Sequence, residues 1–305
     1  MALIIFASAP LIFSGLGRTR NATGFNGILS HPNLLGVFLG IALAAMIAHA
    51  LASHRIERWK LITISLGLIE LYLTEARGGM FSLLLALVVW GGCLFTRFSG
   101  RSARVVGRGI ILIAIATPVI IASSSTVQES VSYFVSKSGR TSESGLVANF
   151  RKSRGGAIAY HMRSLRRNVA FGRGFQVINS RSDALPEVTY DPIWKKIPIS
   201  ASVENGFLYT SIFVELGLIG SIPVFLFFAI LIGPVFRRRD DPANVLLIAV
   251  LFTNVTEAAF FSPSGVGAWE WQMIALYMAS HQFADFSAAS QDCESDLALA
   301  EPAAA

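Results

Sequence analysis

Arginines beside helix starts and carboxylates at the mouths of apolar segments are the residues of this chain whose chemistry asks for a reason. In RTRNATGFNGILSHPNLLG, Arg18 and Arg20 precede His31, Pro32 and Asn33 at the head of an apolar segment. Proline suits a first helical turn, and Asn33 or Ser30 is placed to cap it. A helix N-terminus beside two cations attracts an anion; the same residues also read as a capped helix with snorkelling arginines. LYLTEARGGM sets Glu75 and Arg77 at the end of the next apolar segment, with Gly78 and Gly79 as a tight re-entry and Glu70 deeper. Ionisable groups at membrane depth are costly and usually face a polar interior, and a Glu–Arg pair joining two helices is the alternative. Arg154 and His161 lie two turns apart in a long polar stretch. Glu204 and Asn205 stand at the mouth of the longest apolar segment, where a carboxylate serves as a general base or as an acid favoured by the helix dipole. Glu215, further along, reads as structural and near mid-membrane. In NVTEAAFFSPSG, beside Asn254, Glu257 orients a substrate hydroxyl or pairs with an arginine.

The elements that must position these groups are membrane spans. The chain has 305 residues, 53% hydrophobic and only 14% charged, whereas a soluble domain carries about a quarter charged residues. Apolar segments at about 2–16, 33–52, 60–75, 79–96, 106–123, 205–233, 244–261 and 268–284 approach the ~20 residues that cross a bilayer. The start, MALIIFASAPLIFSGLG, lacks a basic flank and reads as a spanning or partly spanning helix rather than a signal peptide. The two cysteines, Cys93 and Cys293, offer neither a disulfide framework nor a metal-ligand cluster. Arg55, Arg58 and Lys60, then Arg97, Arg101, Arg104 and Arg108, then Arg237, Arg238 and Arg239 fall in alternate short connections. The positive-inside rule makes all three cytoplasmic, with both termini inside.

That alternation puts 17–32, the turn near 75–78, the long 124–204 loop and 262–267 outside. From Ser123 to Glu204 twelve cations face six acids, a surplus equal to the whole chain's formal +6. Long loops translocate largely regardless of charge, so orientation alone gives these cations no reason to be there. Within the loop Ile158, Met162, Leu165 and Val169 recur at helical spacing, predicting an amphipathic helix that ends at the Phe171–Phe175 turn. Arg163, Arg166 and Arg167 lie further round, facing headgroups or solvent. An irregular segment with Pro186, Pro192 and Pro198 follows. The expected architecture is all-α: a polytopic bundle of about eight spans over 1–286, with 124–204 as an external catalytic loop and 287–305 as a disordered cytoplasmic tail.

HPNLLG after an arginine-containing loop, EARGGMFSLLLAL, SRGG with FGRGF downstream and ENGFLYTSIFVELGLIG together resemble the O-antigen ligase and O-antigen or exopolysaccharide polymerase superfamily, and TNVTEAAFF is similar to its exopolysaccharide-polymerase branch. The resemblance covers about residues 18–280. It implies a multi-pass glycosyltransferase of the bacterial inner membrane, working at the periplasmic face without metal or nucleotide sugar. The implied donor is an undecaprenyl-pyrophosphate-linked glycan, the acceptor a glycan or lipid A-core, and the company membrane lipids and other polysaccharide-assembly proteins, with no nucleic acid. By motif position Arg20, Arg77 and Arg154 would hold the pyrophosphate. Arg18, His31, Asn33, Glu75, Asn205 and Glu257 would line the substrate. Glu204 stands where the family often has histidine, which makes it the candidate base, with His161, the one histidine of the loop, as the outside candidate. Family members usually carry more helices before the HPN motif, so a short member, a truncated frame or a half needing a partner is expected. A transporter or flippase of anionic lipid-linked glycans and a non-catalytic, truncated member are the competing readings.

Overall fold

The computed structural model describes residues 1–18, 24–53, 57–97, 109, 156–175, 188–190, 198–201, 207–239, 241–261 and 265–282. Among them the chain is helical throughout, apart from one short ribbon. Helix α1 spans Ala2–Ser8, α2 Pro32–Ala52, α3 Arg58–Leu73, α4 Arg77–Arg97, α5 Gly156–Arg167, α6 Leu208–Arg237 and α7 Asn244–Thr256, and α8 covers 266–282. Strands β1 (Val188–Tyr190) and β2 (Pro198–Ala201) pair antiparallel, Val188 opposite Ala201. This ribbon falls in the segment expected to be irregular; Pro198, which lacks an amide hydrogen, sits at its end, where a strand tolerates it.

Among the described residues three helices are long and apolar enough to cross a membrane: Pro32–Ala52, Arg77–Leu94 and Leu208–Arg237. The first predicted segment is not one of them. Its helix stops at Ser8 and continues as two 3-10 turns, Ala9–Phe13 and Gly15–Gly17, with Pro10 at the break, so the apolar stretch is shorter than a span needs. The predicted segment 106–123 lies outside the described residues except for Gly109, which is helical, and the tail 287–305 lies outside them as well.

Helix α2 is apolar on every side and is the centre of the bundle: 67% of its most apolar 18 residues are buried, against 22% for α6, which lies at the edge. Its neighbour α4 approaches so closely that glycine is required. A Cβ added at Gly36 would overlap that of Ala76, and one at Gly79 would overlap the Gly36 carbonyl. One at Gly40 would stand 2.9 Å from the Gly79 Cα. Small residues spaced along both helices thus bring backbone against backbone, the packing mode that lipid-embedded helices favour. Gly79, expected to form a re-entrant turn, is instead a buried helical contact in the first turn of α4.

These contacts fix direction. Gly36 meets Ala76 and Gly40 meets Gly79 and Ser82, so α2 and α4 run parallel; Gly67 of α3 meets Leu43, so α3 runs against them. Gly78 faces Thr256, so α7 also runs against α4. The Tyr209 hydroxyl donates to the Leu251 carbonyl at 2.8 Å, and Trp269 packs on Phe38 with ring centroids 4.5 Å apart. The starts of α2, α4, α6 and α8 and the ends of α3 and α7 therefore share one end of the bundle. At the opposite end Asp241 Oδ1 accepts from the Ala243 amide at 2.8 Å, and His281 Nε2 lies 3.1 Å from Asn244 Oδ1. The Asn244 side-chain amide also donates to the Arg238 carbonyl.

Helix α6 is broken. Gly217 adopts φ 66°, ψ −176°, a conformation essentially reserved for glycine. The break would strand carbonyls on one side and amides on the other, but the turn after α5 takes them up. The amides of Arg173 and Gly174 donate to the Val214 and Glu215 carbonyls at 3.0 and 2.9 Å, and those of Leu218 and Ile219 donate to the Val169 and Ala170 carbonyls at 2.8 and 3.1 Å. The two left-handed glycines of the turn, Gly172 and Gly174 (φ 67° and 101°), shape it to fit.

Candidate functional site

The polar residues at the Thr74 end belong to three connections. In the first, His31 caps α2: its Nδ1 accepts from the Asn33 amide at 3.1 Å, ahead of Pro32 in the first turn. Sequence reasoning gave the cap to Asn33 or Ser30, but imidazole nitrogen serves the same purpose as a side-chain oxygen. The loop leading in is pinned to the second connection, since the Phe25 amide donates to the Leu73 carbonyl at 2.9 Å. Arg18 is exposed, next to Gly17, whose carbonyl accepts from the Asn26 amide at 2.8 Å.

The second connection is the Thr74–Ala76 turn. Thr74 Oγ1 donates to the Leu71 carbonyl at 2.7 Å and accepts from the Ala76 amide at 3.1 Å, closing α3 and opening α4 with one buried hydroxyl. Glu75 between them has φ 54°, a left-handed conformation that costs a non-glycine residue about 1–2 kcal/mol. Such strain is more often kept at working positions than elsewhere. Arg77 follows as the first residue of α4. The third connection ends α7: an added Cβ on Gly78 would lie 2.5 Å from Thr256 Oγ1 and 3.6 Å from Glu257 Oε1. The Glu257 carboxylate therefore sits against the first turn of α4, where the helix dipole favours negative charge. His31, Asn33, Glu75, Arg77 and Glu257, from three distant parts of the sequence, are brought to one end of the α2–α4–α7 core.

His161 comes to that end by another route. Helix α5 packs on the first half of α6, with His161 only 3% exposed and its Nδ1 2.8 Å from Thr210 Oγ1. The expected stripe of Ile158, Met162, Leu165 and Val169 is not the buried face: Met162 and Val169 are 49% and 46% exposed. Burial of His161, and secondarily the positive charge of Arg173, push its pKa below the usual histidine value. The imidazole is thus neutral at neutral pH, the form a base requires. Because the folded pKa is the lower one, acid favours the unfolded chain: stability is complete above about pH 6.5, the unfolded value, and falls as pH drops from there toward the folded value. A thermal melt of the purified chain between pH 8 and 5 is expected to show this loss, and His161→Gln should lose less over the same range. Parallel pH curves for the two proteins would refute that coupling.

Arg20, Arg154, Glu204 and Asn205, four of the residues expected to act, lie outside the described residues.

Beside the site is a buried hub that sequence reasoning only half found. Asn254 Oδ1 accepts from the Ala259 and Phe260 amides at 3.2 and 3.0 Å; its Nδ2 donates to the Val250 carbonyl at 3.0 Å and to Glu270 Oε2 at 2.7 Å. Its four bonds fix the amide's orientation and unwind α7 at Thr256, which delivers Glu257. Glu270 is wholly enclosed, and its Oε1 has no hydrogen-bond partner among the described residues. The signal was an acid between two tryptophans in an apolar segment, WEW. Glu70 is equally enclosed, with neither oxygen hydrogen-bonded among the described residues. No group of three or more potential metal ligands occurs among the described residues.

Comparison of the chain with protein-family models, with curated proteins and with solved structures finds no match.

Proposed function

We propose that the chain is a membrane glycosyltransferase that moves glycan from an undecaprenyl-pyrophosphate-linked donor to an acceptor sugar hydroxyl, as an O-antigen or exopolysaccharide polymerase or ligase. The observation that carries this reading is the convergence of His31, Asn33, Glu75, Arg77 and Glu257 at one end of a bundle with membrane-spanning helices. The full proposed topology has about eight spans, with this end and the 124–204 loop facing outward from the bacterial inner membrane.

The chemistry asks for little else. The acceptor hydroxyl oxygen attacks the anomeric carbon, the carbon–oxygen bond to pyrophosphate breaks, and that electron pair leaves on the lipid pyrophosphate. Arginine neutralises the charge developing there, best as a bidentate pair; Arg77 is the described candidate, with Arg20 and Arg154 beside it in this proposal. The hydroxyl proton passes to a base. Glu204 holds the family's histidine position, and His161 offers a neutral imidazole on a helix docked at the α6 mouth. Glu257, beside Gly78 at the same end of the bundle, orients the acceptor in this reading.

Arg77→Ala tests the reading. In a deletion strain complemented with the variant, product polysaccharide is expected to fall by about 100-fold or more, with undecaprenyl-linked donor accumulating while the protein inserts normally. Arg77→Lys should recover part of it, since charge survives and the planar fork does not. Full-length polymer from Arg77→Ala at the wild-type level would refute it. The interrupted α6 is the feature that favours a transporter, because transporters bind substrate at broken helices. Its backbone groups at the break are already bonded to residues 169–174, which leaves that reading second. Normal polymer from Arg154→Ala combined with Glu204→Gln would point to a non-catalytic scaffold.

A further inference from the structure

The turn that closes the break in α6 carries its own large side chains outward. Phe171 is 75% exposed and Phe175 50%, next to the exposed Val169 and Met162. Exposed aromatic residues at the tip of a polar loop are expensive in water. They do not stand alone, however. Val169 and Ala170 bond to Leu218 and Ile219, and those two residues open a line of exposed apolar side chains along α6: Leu218, Ile219, Ile222, Leu226 and Ile230. On a helix long and apolar enough to span a membrane, that line faces lipid. The turn continues the same surface.

Its depth follows from length. Counting back from Arg237, the basic end of α6, about 20 residues at 1.5 Å each make up the ~30 Å hydrocarbon core. That count ends at Gly217. The break therefore falls at the boundary between hydrocarbon and headgroups, and Leu208–Leu216 rises beyond it. Glu215, expected near mid-membrane, belongs by this count to the boundary. Helix α5, packed on that rising half through His161 and Thr210, lies at headgroup level. Its exposed residues there include Arg163, Arg166 and Arg167. An amphipathic helix with apolar side chains toward lipid and arginines at the phosphate level has the composition of an interfacial anchor.

We propose that α5 and the Phe171–Phe175 turn form an interfacial anchor whose exposed Arg163, Arg166 and Arg167 hold the headgroups of anionic phospholipids. Phosphate oxygens suit guanidinium forks, and each cation near an anionic surface adds attraction. The assignment rests on the membrane-spanning α6 and not on glycosyl transfer, so either can fail without the other.

The test uses the full chain, with Cys93→Ala and Cys293→Ala, in nanodiscs of phosphatidylcholine alone or of equimolar phosphatidylcholine and phosphatidylglycerol. An environment-sensitive fluorophore on Phe171→Cys reports depth. Because Phe171 packs against little, this change should leave the fold intact. The expected result is quenching by lipid with a nitroxide near the headgroup at least about twofold stronger than by aqueous iodide. Iodide quenching equal to that of the free dye overturns the proposal, and so does protection from both quenchers, as a covering second copy or partner would give. Spin-labelled phosphatidylglycerol and phosphatidylcholine report the headgroup contact. The immobilised fraction is expected to prefer phosphatidylglycerol by about tenfold. That preference should fall toward unity in Arg163→Gln/Arg166→Gln/Arg167→Gln and persist in the corresponding triple lysine variant. A preference unchanged by the glutamine variant overturns the arginine assignment.

Discussion

Replacing Gly79 by alanine is expected to strip the bundle of much of its stability. The new methyl group would occupy the space of the Gly36 carbonyl oxygen and carbon, which are backbone atoms in the middle of a packed helix and have no rotamer to escape into. The only relief is to part α2 and α4, and the parting would be felt along the whole seam. The Gly40 contact opens, and Ala76 leaves Gly36. The Thr74 turn and the Glu257 carboxylate beside Gly78 then lose their common footing. Overpacking an ordinary core costs about 1–3 kcal/mol, and a clash between two helix backbones belongs at or beyond the top of that range. Against a total stability of about 5–15 kcal/mol, loss of monodisperse protein on size exclusion is the expected readout. Gly92 is the control: nothing lies within 4 Å of a Cβ placed there, so Gly92→Ala should be neutral or slightly stabilising. If both variants melt with the wild type, the close α2–α4 seam is wrong.

The second large effect is at the stitched break. Gly217→Ala would strain a backbone conformation that costs other residues about 1–3 kcal/mol, and its methyl would overlap the Ala170 carbonyl and the Gly172 amide. Gly172→Ala makes the mirror-image conflict with the Glu215 carbonyl from the loop side. Each change is expected to detach the turn, freeing four backbone bonds at once and taking the His161–Thr210 contact with them. New protease cleavage near residues 168–175 would report it. Since both substitutions break one junction, the double variant should be little worse than either single one. Additive losses, or an intact turn in Gly217→Ala, would separate the two elements. Gly233→Ala, in open space on the same helix, should be silent.

What the sequence made legible follows from the range of each signal. Apolar length announced α2, α4 and α6 because a spanning helix is a local property of about 20 residues. The HPN start of α2 was visible because capping acts within one turn, although the atom that caps belongs to His31. The clustering of Glu75, Arg77 and Glu257 was anticipated from alternation of the basic connections, a property of the whole chain. The break at Gly217 was not, because GLIG in a run of apolar residues looks like ordinary small-residue packing. Nothing local says that a turn forty-odd residues earlier will meet it. The glycines after Arg77 suggested a turn for the converse reason: glycine serves both backbone freedom and close approach, and only the partner decides which. Glu270 was passed over since its holder, Asn254, is sixteen residues away and its environment exists only after α7 and α8 pack.

The stitched break also sets an order of assembly. Residues 169–174 precede α6 in the chain, so the turn is made before the helix it must complete. As it enters the bilayer α6 presents a nearly uninterrupted apolar run, and its amides and carbonyls about Gly217 find their final partners only when the turn docks. Insertion and completion are thus separate events, and the second requires the turn and the first half of α6 to be on the same side of the membrane. Until the turn docks, α6 carries two carbonyls and two amides about Gly217 without their final partners, so the inserted helix is completed by the chain that came before it.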